Sequence, residues 1–166
     1  MNMIFCVDKN FGIGKDNKML FNLKTDLQYF KQKTLNKVVV MGYNTLLSLP
    51  NSKPLKNRVN IVLTSKKILI ENVIVVNSKE QLFNVLKNYC DDDIFIIGGE
   101  KIYNLMLPFC KKVFCTKVEA IKSADVFAPN LDKNYSFKQI SKSQTFEENN
   151  LKFNFCEYEN KNPLSF

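Results

Sequence analysis

Ile94-Phe95-Ile96-Ile97-Gly98-Gly99-Glu100-Lys101-Ile102-Tyr103 is the stretch on which the reading of the fold turns. The apolar run Ile94 to Ile97 is a buried strand by type. Two glycines follow at once, and Glu100 opens a helix through Leu107 that Pro108 ends. A strand that turns through glycine straight into a helix is the building unit of an α/β sheet.

The same alternation continues outward. Met3 to Val7, Val38 to Met41, Val59 to Leu63, Val73 to Val76 and Val113 to Val118 are further short apolar runs. Helical patterns lie between them. One begins at Thr25, whose hydroxyl suits an N-cap, and runs to Thr34. Gly42 to Leu49 reads as a strand end and a short helix stopped near Pro50. A third helix spans Ser78 to Tyr89, with Ser78 and Gln81 spaced as a capping box. Near the C-terminus, Phe137 to Ile140 and Leu151 to Tyr158 alternate apolar and polar residues, as antiparallel strands with one wet face do. Glu147 to Asn150 is a turn between them, and the last residues are expected to be loose. The expectation is one α/β domain over residues 1–166. It has a central, mostly parallel sheet of about eight strands that ends in an antiparallel pair, with helices on both faces. Ligands of such sheets bind at the carboxyl ends of the parallel strands. The loops after Val7, Met41, Leu63, Ile97 and Phe114 should therefore meet at the site.

Composition narrows the function. With 166 residues, 45% hydrophobic and 24% charged, the chain has the makeup of an ordinary soluble globular protein. No apolar run is long enough to span a bilayer, and no basic region precedes the first apolar segment. The expected location is the cytoplasm. The five cysteines form no paired-ligand pattern and are expected to be free thiols. There is no histidine, which removes Ser-His and Cys-His mechanisms and makes a metal site unexpected. The net charge is +8, but the lysines are scattered and the aromatics sit in apolar runs. A nucleic-acid face is therefore not expected, whereas a positive field would draw in small anions.

Three stretches carry candidate chemistry. Asp26 lies among Met19, Leu20, Phe21, Leu23, Leu27 and Phe30. It is either an acidic first helical turn, which the helix dipole favours, or a carboxylate on an apolar pocket wall. Gly98-Gly99-Glu100 lets backbone approach a pyrophosphate, or is a tight turn needing glycine for sterics. Thr64-Ser65-Lys66 offers hydroxyls and charge to a phosphate, or is a solvated turn. Arg58 is the chain's single arginine and offers a planar fork for a carboxylate. Asp8 to Asn17, with Gly12-Ile13-Gly14, is a weak dinucleotide fingerprint and reads better as a flexible loop that closes over a ligand. A phosphate cradle, a carboxylate clamp and one pocket acid, without a nucleophile–base pair, fit reduction by a nucleotide cofactor better than hydrolysis.

In order along the chain, Val7-Asp8-Lys9-Asn10 with Gly12-Ile13-Gly14, and Met19 to Leu27 with Phe30, resemble the dihydrofolate reductase family. So do Met41 to Thr45 with Ser48-Leu49-Pro50, Pro54-Leu55 with Arg58, and Asn60 to Thr64. Ile97-Gly98-Gly99 with Tyr103, Thr116, and Asp125 before Phe127-Ala128-Pro129 complete the match. The resemblance implies reduction of 7,8-dihydrofolate to tetrahydrofolate with NADPH, feeding one-carbon and thymidylate metabolism. It implies a monomer that also takes antifolate inhibitors. Asp26 matches the family's pocket carboxylate, which promotes protonation at N5, and Thr116 the hydroxyl supporting it. Ile4, Leu27, Phe30, Leu49 and Leu55 match the apolar walls around pterin and aminobenzoyl. Arg58 matches the clamp on the glutamate α-carboxylate, with Lys53 a weaker helper. Cys6, Ile13, Gly14, Lys15, Asn17, Met19, Ile97 and Tyr103 match the nicotinamide side. Asn44, Thr45, Thr64, Ser65, Lys66, Gly98, Gly99, Glu100, Lys101 and Ile102 match the phosphate and adenosine side. The Gly98-Gly99 bond is cis in the family.

The chain departs from the family pattern at several positions. Phe21 and Leu46 stand where the family usually has tryptophan, Leu20 and Lys24 where it has proline, and Cys6 where it has alanine. Tyr43 replaces an arginine that commonly meets the 2′-phosphate, so preference for NADPH falls to Lys66, Lys67, Thr64 or Ser65. A reductase for another pterin or a ribosylaminopyrimidine is the enzymatic rival. An acylglutamate substrate needs both Asp26 and Arg58, and their pairing argues against that rival.

Overall fold

The computed structural model describes residues 1–166 as one α/β domain. The strands of the main sheet are β1 (Asn2–Val7), β4 (Val38–Gly42), β5 (Val59–Leu63), β6 (Ile74–Val76) and β7 (Ile94–Gly98). They continue with β8 (Lys112–Val118), β10 (Phe137–Lys142), β11 (Phe146–Glu148) and β12 (Leu151–Asn160). The order is β10-β12-β8-β1-β7-β4-β5-β6, with β11 paired to β12. Pairings from β8 through β6 are parallel, and those of β12 with β8, β10 and β11 are antiparallel.

Period-two alternation sorts the strands onto two faces. Met3, Phe5 and Val7 of β1 join Val38, Val40, Ile61, Ile94 and Ile96 on one face. That face is covered by α3 (Lys79–Leu86) and α4 (Glu100–Met106) through Leu82, Leu86, Ile102 and Met106. Ile4 joins Val39, Met41, Val62, Phe95, Ile97 and Phe114 on the other. It is covered by α1 (Lys24–Thr34) and α2 (Tyr43–Ser48) through Tyr29, Phe30 and Leu46. Met3, Ile61, Ile94 and Ile96 are fully enclosed, and burial of a side chain of that size stabilises by about 1.5–3 kcal/mol.

Four expectations need correction. The segment around Gly12 is no open loop: β2 (Gly12–Lys15), β3 (Lys18–Met19) and β9 (Val126–Phe127) form a second, three-stranded sheet. The partner strand is remote in sequence, so no local pattern announces it. Gly12 permits the approach, since a Cβ there would sit 2.7 Å from Ala124 Cβ. Helix α1 starts two residues early, at Lys24, with Leu23 and not Thr25 as N-cap and no side-chain cap hydrogen bond from that residue. Glu147 and Glu148 belong to β11, and the hairpin turn is Asn149-Asn150, both at positive φ as such turns require. The C-terminus is fastened: Leu164 N–H donates to Pro108 C=O at 2.9 Å and the Phe166 ring lies 5.3 Å from Phe83. Ser78 does cap α3, accepting from Gln81 N–H, although the helix ends at Leu86. The cysteines are all free thiols. No helix is long and apolar enough to cross a membrane.

Candidate active site

Asp26 sits in the first turn of α1, half-buried against the sheet face that carries Ile4, Ile97 and Phe114. Burial pushes its carboxyl pKa up, hydrogen bonds from Thr116 and Cys6 oppose the rise, and the charge of Glu148 adds to it. Cys6 and Thr116 are lateral neighbours in register on β1 and β8, so their side chains leave the sheet on one face, side by side. Burial and the Asp26 charge push the Cys6 thiol pKa up, which keeps it protonated and a donor. An acid in this setting holds a proton nearer neutrality than a solvated aspartate does.

Phe30, Leu49 and Leu55 are half-buried and pack on the same sheet face as Ile4, Ile97 and Phe114, while Leu27 is exposed. Leu27, at 40% exposure, is a large apolar group left facing water. Arg58 lies at the far end of α1. Its Nε–H donates to Thr34 Oγ1 at 3.1 Å and its Nη1 to Lys56 C=O at 2.6 Å, while partial burial lowers its pKa. These bonds hold the guanidinium against the C-terminal end of α1. Lys53 is exposed nearby in sequence, before Leu55.

A second group of candidate residues is built around glycine. The Gly98-Gly99 peptide is cis, and Gly98 has φ +128°. A Cβ on Gly98 would meet Tyr103 Oη at 3.2 Å and Thr45 Oγ1 at 3.5 Å. The turn therefore offers bare backbone at the end of β7. Tyr103 is fully enclosed, donates to Ile4 C=O at 2.9 Å and packs edge-on to Phe5. Ile102 is buried, Glu100 half-buried and Lys101 exposed. Asn44 and Thr45 open α2 at the end of β4. Thr64 follows β5; its Oγ1 accepts from Lys66 N–H at 3.2 Å, and Asn77 Nδ2 donates to both Thr64 and Lys66 carbonyls. Ser65 and Lys66 are exposed, and Lys66 Nζ stands 4.7 Å over the Tyr43 ring.

The β2–β3 segment carries a further group of candidates. Ile13 is half-buried, Gly14 buried, and Asn17 and Met19 exposed. Lys15 is turned away and donates to Ser123 at 2.7 Å. The segment is pinned to residues 120–126. Asp125 accepts from Asp16 N–H at 3.0 Å, and Lys122 Nζ donates to Leu20 C=O at 2.8 Å while standing 4.7 Å over Phe21. Phe21 is buried with Leu23, Val118 and Phe153. No cluster of three or more His, Cys, Asp or Glu has the arrangement of a metal site.

Several supporting residues escaped the sequence reading. Buried Asp8 accepts from Asn10, Gly12 and Lys122 N–H groups. Asn60 stitches the loop carrying Arg58, exchanging hydrogen bonds with Leu55 and donating to Arg58 C=O. Glu148 takes the Lys24 and Thr25 N–H groups. A lone polar residue inside an apolar strand was a signal for Asn60; none marked Glu148.

The family model described as dihydrofolate reductase matches residues 1–160. A dihydrofolate reductase of Buchnera aphidicola subsp. Schizaphis graminum is 35% identical over 156 residues, covering 94% of this chain and 95% of the relative. That of Bacillus subtilis is 32% identical over 165 residues, covering 98% and 95%. That of Schistosoma mansoni is 32% identical over 178 residues, covering 96% and 95%.

Proposed function

The chain belongs to the dihydrofolate reductase family of oxidoreductases, and from that premise we propose that it reduces 7,8-dihydrofolate to 5,6,7,8-tetrahydrofolate with NADPH. Hydride goes to C6 and a proton to N5. The observation that carries the reading is the half-buried Asp26, its pKa raised by burial and its carboxylate hydrogen-bonded by Thr116 and Cys6, which stand side by side on β8 and β1.

The residues present fit a nicotinamide dinucleotide. The glycine turn leaves room only for backbone beside Thr45 and Tyr103, which suits close approach of a pyrophosphate. Asn44, Thr45, Thr64, Ser65 and the Gly98 to Ile102 turn would hold the phosphate and adenosine side. Cys6, Ile13, Gly14, Met19 and Ile97 would border the nicotinamide. Lys66, steadied over Tyr43, supplies a cation for a 2′-phosphate where an arginine is absent. The bound cofactor supplies the hydride.

The chain's own part is binding and proton management. Asp26 holds the pterin amino group and ring N–H and, with its raised pKa, favours protonation at N5 near neutral pH. Thr116 and the Cys6 thiol orient that carboxylate. Ile4, Leu27, Phe30, Leu49 and Leu55 enclose the pterin and aminobenzoyl rings, and Arg58 clamps the glutamate α-carboxylate with Lys53 as helper. The same pocket would take antifolates. The segment Gly12 to Met19, pinned to residues 120–126, keeps water out of the cleft.

The test is absorbance of NADPH followed with dihydrofolate present and absent. Oxidation that depends on dihydrofolate is expected. Binding of NADPH with no oxidation on adding dihydrofolate would reject the activity.

A further inference from the structure

Helix α1 carries Asp26 at its third position, yet its N-cap is Leu23, a residue with no side-chain acceptor. The cap comes from elsewhere. Glu148, the last residue of β11 before the turn of the β11–β12 hairpin, accepts the Lys24 N–H through Oε1 at 2.6 Å and the Thr25 N–H through Oε2 at 3.0 Å. Both carboxylate oxygens are committed, so the helix start is held at two adjacent points. The next N–H with a helical partner is that of Leu27, bonded to Leu23 C=O at 3.0 Å. Asp26 thus lies between the Glu148 clamp and the first helical bond.

The clamp depends on this chain's own residues. Proline at position 24, expected from the family resemblance, has no N–H to give. Lys24 supplies one, and Glu148 uses it. The notch between Asn22, Lys24, Thr25 and residues 147–149 has a volume of about 520 Å³ and is lined by no hydrophobic residue. An open notch without hydrophobic or aromatic side chains does not suit a small-molecule site, and the contact there is structural.

We propose that Glu148 is a positioning residue for the reaction: by capping α1 from the β11–β12 hairpin it sets where the Asp26 carboxylate stands on the pocket wall. The inference rests on Asp26 being the pocket acid. Two physical effects follow. The cap satisfies first-turn N–H groups, which otherwise fray the turn. Its negative charge also lies beside a second carboxylate and opposes ionisation of Asp26. The charged groups facing Glu148 are Lys24 and Asp26 from α1, with Glu147 beside it at the notch; its cross-strand partner is the apolar Leu151.

The test compares Glu148→Ala, Glu148→Gln and the unaltered chain. In Glu148→Ala the single-turnover reduction rate at neutral pH falls by roughly tenfold to a hundredfold, the scale of a displaced catalytic group. The NADPH dissociation constant, read by fluorescence, stays the same. The ¹³C carboxyl titration of Asp26 in the ligand-free protein moves to lower pH. Glu148→Gln keeps one acceptor oxygen without the charge. It should recover part of the rate and keep the acidic shift. An unchanged rate with an unchanged Asp26 titration in folded Glu148→Ala overturns the proposal, as does a lowered melting temperature with both readouts unmoved. If the unaltered chain fails to reduce dihydrofolate, the functional reading falls by itself, while the Asp26 titration still decides the role of Glu148.

Discussion

The glycine turn and the surroundings of Asp26, the two candidate walls of the site, are built in opposite ways. The glycine wall is local: β7, Gly98-Gly99 and α4 follow one another in the chain, and Tyr103 N–H closes back on Gly99 C=O at 2.8 Å. The acid wall is assembled from remote pieces. Asp26 comes from α1, Cys6 from β1, Thr116 from β8 and Glu148 from β11. A phosphate cradle needs backbone geometry, and a short run of sequence can specify that. An acid with a raised pKa needs low solvation on several sides, which only distant segments packed together can provide.

The sharpest break in this contrast is Asp26→Asn. It removes the acid and leaves the glycine wall intact. Hydride transfer at neutral pH should fall by about 10²–10⁴-fold, while NADPH binding is retained; unchanged turnover rejects Asp26 as the acid. The same variant has a stability signature. The folded-state pKa of Asp26 is raised, so its stability contribution is present at low pH and lost as pH rises through that pKa. Asp26→Asn should therefore be the more stable protein at neutral pH, with the gain shrinking as pH falls through the raised pKa. A melting-temperature series against pH reads this directly.

Arg58→Leu tests the substrate end of the acid wall. Dihydrofolate KM should rise by the equivalent of about 1.5–3 kcal/mol, as for a lost charged hydrogen bond. A pterin without the glutamate tail should be indifferent to the change; equal loss for both would count against the clamp.

Gly98→Ala works on the other wall. The added Cβ meets Tyr103 and Thr45 at a positive φ, a strain on the order of 1–3 kcal/mol. Denaturant unfolding should register the loss and NADPH should bind more weakly, with the Asp26 titration unmoved. A shifted Asp26 titration would mean that the walls are coupled.

The smallest effect belongs to the pair over the exposed turn. Tyr43→Ala removes a cation–π contact worth about 0.5–1 kcal/mol and should weaken NADPH by a similar amount through a less ordered Lys66. NADH binding should hardly change. Equal weakening of both would remove Lys66 from the 2′-phosphate role.

Legibility in the sequence divides along the same line. Strand cores such as Val59 to Leu63, the glycine turn and the Ser78 cap all follow from neighbours within a few residues. The three-stranded sheet around Gly12 has no local signal, because β9 approaches from far along the chain. The Thr25 hydroxyl points to a cap at that residue, whereas the tertiary fold delivers a stronger acceptor, a carboxylate bonded to both Lys24 and Thr25.

The sequence by itself determined the α/β class, the position of the glycine turn and the identity of the one acid among apolar neighbours, because hydrophobic period and glycine sterics act over a few residues. The tertiary structure alone decided how Asp26 is held. Its desolvation, its Thr116 and Cys6 donors and the Glu148 cap depend on contacts between strands and a helix that meet only when the sheet closes.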